Sequence, residues 1–176
     1  MCEVFRPNQY VVALEDINLD ALAEARITGL LIDRDKTLTA WRSREVAPAK
    51  RQWVEAAKER FRLCIVSNTI FRKGVGAVAE DLGISVVSGW GLGRKPLPGA
   101  IRAALREINV EPRDAAIIGD QLFTDILGGN LLGLYTILVE PVPGKEFPGT
   151  YLTRILERMV ARRLRLAPEN RPERQR

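Results

Sequence analysis

Histidine is absent from the sequence. Without it there is no Ser-His-Asp triad, no Cys-His dyad, no His-ligated zinc and no imidazole base. Chemistry must run on carboxylates, Ser/Thr, Lys and a hard metal ion. Cysteine is nearly absent too: Cys64 lies in the apolar run "LCIVSN" and reads as a small core residue, while Cys2 sits at the terminus. A disulfide between them is not expected, and a reducing compartment fits. Aromatic residues are only 6%, which leaves no stacking platform for RNA and argues against nucleic acid as a partner. No apolar run approaches the roughly 20 residues that span a bilayer. "MCEVFRPNQYVVALEDINLD" joins no basic flank to an apolar core, so no secretory signal is expected. The expected location is the cytoplasm, with contact at the inner membrane surface left open.

What is present is the composition of a globular α/β protein: 176 residues, 46% hydrophobic and 28% charged. That length suits one domain with a sizeable core. The formal charge of +5 comes from 27 basic and 22 acidic residues, but it is unevenly spread. From Tyr151 onward stand eight Arg and three Glu, so the preceding chain is balanced and the C-terminal segment carries the whole excess. One domain over residues 1–166 is expected, closing in a basic amphipathic helix at about 150–166, with a disordered tail at 167–176.

Five short runs read as strands: "TGLLID" (28–33), "LCIVSN" (63–68), "ISVVSG" (84–89), "AAIIGD" (115–120) and "YTILVE" (135–140). Most are continuously apolar, as in a parallel sheet covered on both faces. Between them, residues 47–61, 73–83, 97–110 and 122–133 have helical spacing, the last weakened by its glycines. Strands alternating with helices predict right-handed crossovers and a three-layer, doubly wound parallel sheet. Ligands in such sheets sit beyond the carboxyl ends of the strands, where strand order reverses.

Polar residues gather at those ends. The first run ends in Asp33, the second in Ser67 and Asn68, and the fourth in Asp120; "GWGLGRKP" after the third delivers Lys95. Each has an ordinary reading as a helix cap or a solvated turn, but four in order at successive strand ends weaken that reading. Asp33 and Asp35 flank Arg34, so an extended segment projects both carboxylates to one side and Arg34 away from them. Two like charges so close need a neutralising partner, or one must hold a proton. Mg²⁺ suits, because it takes carboxylate oxygens, waters and a substrate phosphate.

The series "DRDKT … SNT … RKP … GDQLFTD" resembles the four motifs of the haloacid-dehalogenase (HAD) phosphohydrolase superfamily. The "GDQ-x-x-TD" form, the preceding "ITGLLID" and a later R-x-x-E pair are similar to the YqeG-type branch, subclass IIIA, which includes phosphatidylglycerophosphate phosphatases. The resemblance covers roughly residues 5 to 158 and implies a HAD-like Rossmannoid fold. It also implies a set of roles. Asp33 would be the nucleophile, forming an aspartyl-phosphate, and Asp35 the acid and then the base. Ser67, Asn68 and Lys95 would bind the phosphoryl group. Mg²⁺ would be held by Asp33, the main-chain carbonyl of Asp35, and Asp120, with Asp125 behind them orienting metal waters or Lys95. Relatives usually read "DLDNT" where this chain has "DRDKT". Lys36 either helps to hold phosphate or favours ionised Asp35.

Only ten residues lie between Thr37 and Pro48, and a handful between the third run and Lys95. Neither gap holds a cap domain, so the expected site is capless and open, suiting a phosphate carried by something large such as a lipid. In "TYLTRILERMVARRLRL", Leu152, Ile155, Leu156, Met159 and Val160 share one flank, with Arg154, Arg158, Arg162 and Arg165 elsewhere. Such a helix packs its apolar flank on the sheet with arginines in solvent, lies on an anionic membrane, or does both. The expected function is a Mg²⁺-dependent phosphomonoesterase, with phosphatidylglycerophosphate favoured as substrate. The alternatives are a phosphatase of a small soluble sugar or nucleotide phosphate, and a non-catalytic binding module.

Overall fold

The computed structural model describes residues 3–68, 72–89, 91–144 and 151–169. Cys2, the end of the Pro-rich loop at 145–150, the side chain of Leu152 and the last seven residues lie outside them. The five apolar runs become β2 (Gly29–Ile32), β3 (Arg62–Ser67), β4 (Ser85–Ser88), β5 (Ala115–Gly119) and β6 (Tyr135–Val139). A sixth strand, β1 (Gln9–Val11), was not expected. It is three residues long, carries a Gln and a Tyr, and sits at the sheet edge beside β6, so no apolar run announces it.

Every strand pair is parallel, and the order is β1-β6-β5-β2-β3-β4. The chain steps outward from central β2 to β3 and β4, then returns to the other side of β2 for β5 and β6. Strand order therefore reverses between β2 and β5, which opens a crevice at their carboxyl ends.

Successive side chains of each strand feed opposite layers. Leu30, Ile32, Ile65 and Ile118 pack in one core with α2 (Pro48–Lys58) and α3 (Arg72–Leu82), joined by Leu22 of α1 (Leu19–Glu24). Leu31, Cys64, Val66 and Ile117 pack in the other with α4 (Pro98–Glu107). Prolines occupy the first turns of α2 and α4, where a missing N–H costs nothing. Asn18 caps α1 by accepting from the amides of Asp20 and Ala21, a helix too short to show a periodic signal. The segment read as one helix over 122–133 is a π-helical turn, Leu122–Ile126, leading into α5 (Leu127–Leu132). Its glycines are contact points. A Cβ on Gly129 would overlap Ile117 and Thr136, so α5 lies directly on β5 and β6.

Between β2 and α2, residues 33–47 form turns and a single bridge, and between β4 and α4 the described residues add one 3₁₀ turn. Neither gap holds a further domain. Among the described residues no helix is long and apolar enough to cross a membrane.

The C-terminal segment forms α6 (Tyr151–Arg163). Of the alternatives left open for it, docking of the whole apolar flank does not occur: Ile155, Leu156 and Met159 are exposed, Met159 by 61%. Arg154 and Glu157 turn inward instead, with Val160 and Ala161 packed against Leu122, Ile126 and Leu138. The cause is a set of polar partners awaiting α6 on the domain, which apolar side chains could not satisfy. Residues 167–169, read as tail, return to β1: the Glu169 amide donates to the Tyr10 carbonyl at 2.8 Å.

Gly129→Ala is expected to destabilise by about 1–3 kcal/mol through overpacking. Gly76→Ala on α3, where an added Cβ meets nothing, should instead stabilise by about 0.5–1 kcal/mol. Urea unfolding of the two variants checks the opposite signs.

Candidate active site

Asp33 continues the β2 ladder by one bond, its amide donating to the Ile118 carbonyl at 2.8 Å. This sets its carboxylate at the mouth of the crevice. The chain then curls: the amides of Leu38 and Thr39 both donate to the Arg34 carbonyl, and that of Lys36 donates to the Thr39 carbonyl at 2.7 Å. The alternation expected of an extended "DRD" therefore stops at Asp33. Arg34 does not point away from the acids. It is buried, and its guanidinium bonds the Asp35 carboxylate. Lys36 takes a left-handed backbone, φ 69°, a conformation costly for a residue with a Cβ and eased for Asn by its short polar side chain. Its Nζ approaches the Gly144 carbonyl at 3.5 Å, and its own carbonyl accepts from Val142. Lys36 thus ties the first loop to the loop after β6.

Lys95 is the centre of the site. Its Nζ donates to Asp33 Oδ1 at 2.7 Å, Asp125 Oδ1 at 2.6 Å and the Val66 carbonyl at 2.8 Å, using all three ammonium protons. Asn68, expected on the phosphate, brackets the Lys95 backbone: its Oδ1 accepts from the Lys95 amide at 2.8 Å and its Nδ2 donates to the Lys95 carbonyl at 2.9 Å. Ser67 is buried as the last residue of β3, and its carbonyl accepts from Gly89. Asp125 comes from the π-helical turn, whose widened spacing lets the Gln121 carbonyl accept from both Asp125 and Ile126. Asp125 Oδ2 accepts in turn from the Gln121 amide at 3.2 Å. The last residue of β5 must be glycine here, because a Cβ on Gly119 would overlap the Asp125 carboxyl.

Asp33, Asp120 and Asp125 are all buried, with carboxylate oxygens within 4.8 Å of one another. Asp35 stands outside this trio, paired with Arg34. Arg154 of α6 grips Asp120 and also bonds Glu157 at 3.2 Å. These two residues were missed as parts of the site. The signal was an Arg and a Glu one helical turn apart, on the flank opposite the apolar stripe.

Among the described residues, four buried carboxylates, those of Asp33, Asp120, Asp125 and Glu157, thus meet two cations, Lys95 and Arg154. The imbalance appears in their acidities. Burial pushes Asp33 up to about 8, against the pull of Lys95 and helped by Asp125 and Asp120. Burial likewise raises Asp120 to about 6 and Glu157 to about 7, although Arg154 opposes both. For Lys95, burial favours the neutral form, but Asp125 and Asp33 outweigh it and hold the ammonium above its ordinary range. A divalent cation would close the two-charge gap, and Asp120 Oδ1 is buried without a hydrogen-bond partner among the described residues. All-oxygen donors and an orphaned carboxylate oxygen fit a hard cation such as Mg²⁺.

In the metal-free protein the raised carboxylates bind protons more tightly folded than unfolded. Stability is therefore expected to fall as pH rises from about 5 to about 8, since ionising Asp33 and Asp120 opposes folding there. Lys95 stays charged in both states across that window and adds no slope. Thermal unfolding across this range checks the sign, and added Mg²⁺ should flatten the slope.

A family model described as "HAD-hyrolase-like" matches residues 92–141, the segment from before Lys95 through β6. The chain is 36% identical over 157 residues to "Probable phosphatase YqeG" of Bacillus subtilis, covering 89% of each chain. It is 28% identical over 154 residues to "Phosphatidylglycerophosphate phosphatase 1, chloroplastic/mitochondrial" of Arabidopsis thaliana, covering 81% of this chain and 42% of that one. Among solved structures, a HAD-like protein of Mesorhizobium loti superposes with a TM-score of 0.54 at 19% identity, over 82% of this chain and 90% of that one. That likeness speaks for the fold alone, whereas the extent and level of identity to YqeG speak for the family. The chain belongs to the HAD-like phosphatases, in the family of YqeG.

Proposed function

We propose that this phosphatase is a Mg²⁺-dependent phosphomonoesterase acting through an aspartyl-phosphate, with phosphatidylglycerophosphate as its favoured substrate. The observation that carries the reading is the convergence of Asp33, Lys95 and Asp120 at the reversal point of the sheet, with a carboxylate oxygen left over. A carboxylate oxygen of Asp33 bonds to phosphorus as the ester P–O bond breaks. Asp35 gives its proton to the leaving alkoxide, then takes one from the water that attacks the aspartyl-phosphate, releasing inorganic phosphate and restoring Asp33. Arg34 holds Asp35 meanwhile. Lys95 and the Ser67 hydroxyl offset charge on the phosphoryl oxygens as the group moves in line. Asp33, the main-chain carbonyl of Asp35 and Asp120 would hold the ion, with Asp125 beside them. When bound, Mg²⁺ supplies the positive charge that lets one anion approach another.

Two observations support a lipid-borne substrate. The Arabidopsis relative bears the name of a phosphatidylglycerophosphate phosphatase. On α6, Ile155, Leu156 and Met159 form an exposed apolar ridge flanked by exposed Arg158, Arg162 and Arg163, the pattern of a helix that rests on an anionic interface. The protein would be cytoplasmic and meet the inner membrane surface through this ridge.

Phosphate release should be measured with Mg²⁺ on vesicle-borne phosphatidylglycerophosphate and on soluble sugar and nucleotide phosphates. Asp33→Asn is expected to lower the rate by about 10³-fold or more. Retained activity would remove the nucleophile assignment, and a preference for the soluble esters would replace the lipid reading. In flotation with anionic vesicles, wild-type protein should rise with the lipid at low salt. It should release within a few hundred millimolar salt, where the Debye length falls to about 5 Å. Ile155→Ser with Met159→Ser should stay below. Flotation indifferent to lipid charge, salt and both substitutions would dismiss the membrane contact.

A further inference from the structure

Arg154 enters the site from outside the sheet. Its Nη1 donates to the main-chain carbonyl of Asp120 at 2.7 Å, and its Nη2 bonds Asp120 Oδ2. Nη1 also reaches Glu157 Oε2 at 3.2 Å, while Glu157 Oε1 accepts the Phe123 amide at 3.0 Å. The Arg154 and Glu157 side chains are only 11% and 6% exposed. Burying an ion pair of this kind is a poor route to stability, because each ion loses hydration worth several kcal/mol. The pair instead holds Asp120 at two points, backbone and carboxylate, and takes Oδ2 while leaving Oδ1 as the oxygen with no hydrogen-bond partner among the described residues.

We propose that Arg154 is a positioning residue for the metal: it fixes the Asp120 carboxylate so that Oδ1 is presented to the ion, and Glu157 braces Arg154 against the π-helical turn. The proposal rests on the reading of the acid cluster as a divalent-cation site. Groups behind a metal ligand that set its orientation typically change affinity by about ten- to a hundredfold when removed. A guanidinium that merely anchored α6 would leave affinity alone, and one that competed with the ion would weaken it, so its removal would tighten binding.

The test is calorimetric titration of MgCl₂ into the metal-free full chain, wild type beside Arg154→Ala, Arg154→Lys and Glu157→Gln, with urea unfolding of each. Arg154→Ala is expected to bind Mg²⁺ about tenfold or more weakly. The Mg²⁺ concentration for half-maximal phosphate release should rise by a similar factor, with substrate KM at saturating Mg²⁺ little changed. Arg154→Lys, which keeps the charge but grips one point, should recover part of the loss, and Glu157→Gln should fall between. Equal or tighter Mg²⁺ binding by Arg154→Ala overturns the proposal. If that variant does not fold, wild-type affinity in both remaining variants overturns it. Wild-type protein that releases phosphate with Mg²⁺ while the variants match it defeats this inference alone. Wild-type protein that binds no Mg²⁺ defeats the metal reading with it.

Discussion

Three carboxylates with oxygens within 4.8 Å of one another repel by roughly 3–4 kcal/mol per pair at the effective dielectric of a partly buried site. The site is organised around that repulsion. Lys95 stands between two of the acids, and its three ammonium protons are all spent on holding that place. Arg154 meets the third acid. Neighbouring features serve the same end: Asn68 clasps the Lys95 backbone, Gly119 leaves room for Asp125, and the π-helical turn brings Asp125 back over the end of β5. Even so, among the described residues the positive charge falls short, and the deficit fits a site able to take a hard cation.

The sheet supplies what the charges need. Parallel strands buried on both faces end together, and the reversal of strand order between β2 and β5 leaves a crevice at their carboxyl ends. Asp33 and Asp120 leave neighbouring strands at that crevice, and Lys95 reaches Asp33 and Asp125 from the loop beyond β4. Asp33 and Asp120 each directly follow a strand rather than sitting in a free loop, and this keeps like charges from simply swinging apart. The two apolar cores hold the frame rigid against the repulsion at its rim.

Much of this was legible in the sequence because buried parallel strands and strand-end acids leave local marks. The five apolar runs, the helices at 47–61 and 97–110, and the meeting of Asp33, Lys95 and Asp120 follow from periodicity and position, while Asp125 came only with the resemblance of the fourth motif. What escaped was non-local. Strand β1 exists because β6 offers an open edge, and three mixed residues carry no pattern of their own. The bend after Asp33 depends on Arg34 finding Asp35 and on Lys50 bonding the Thr37 carbonyl at 2.9 Å. The facing of α6 stayed open in the sequence because hydrophobicity alone does not show the polar partners on the domain. Arg154 and Glu157 outbid the apolar stripe for the inner face by satisfying the Asp120 carboxylate and carbonyl and the Phe123 amide.

Helix α6 follows the last strand, and every one of the four motifs precedes it. A chain cut after β6 would keep the whole sheet and all four motifs, and by motif matching it would count as complete. It would lack the only guanidinium among the described residues bonded to Asp120 and one of the two cations facing the acids. The boundary of the chemical unit therefore lies past the boundary of the recognisable motifs, and it is drawn by a charge rather than by the core.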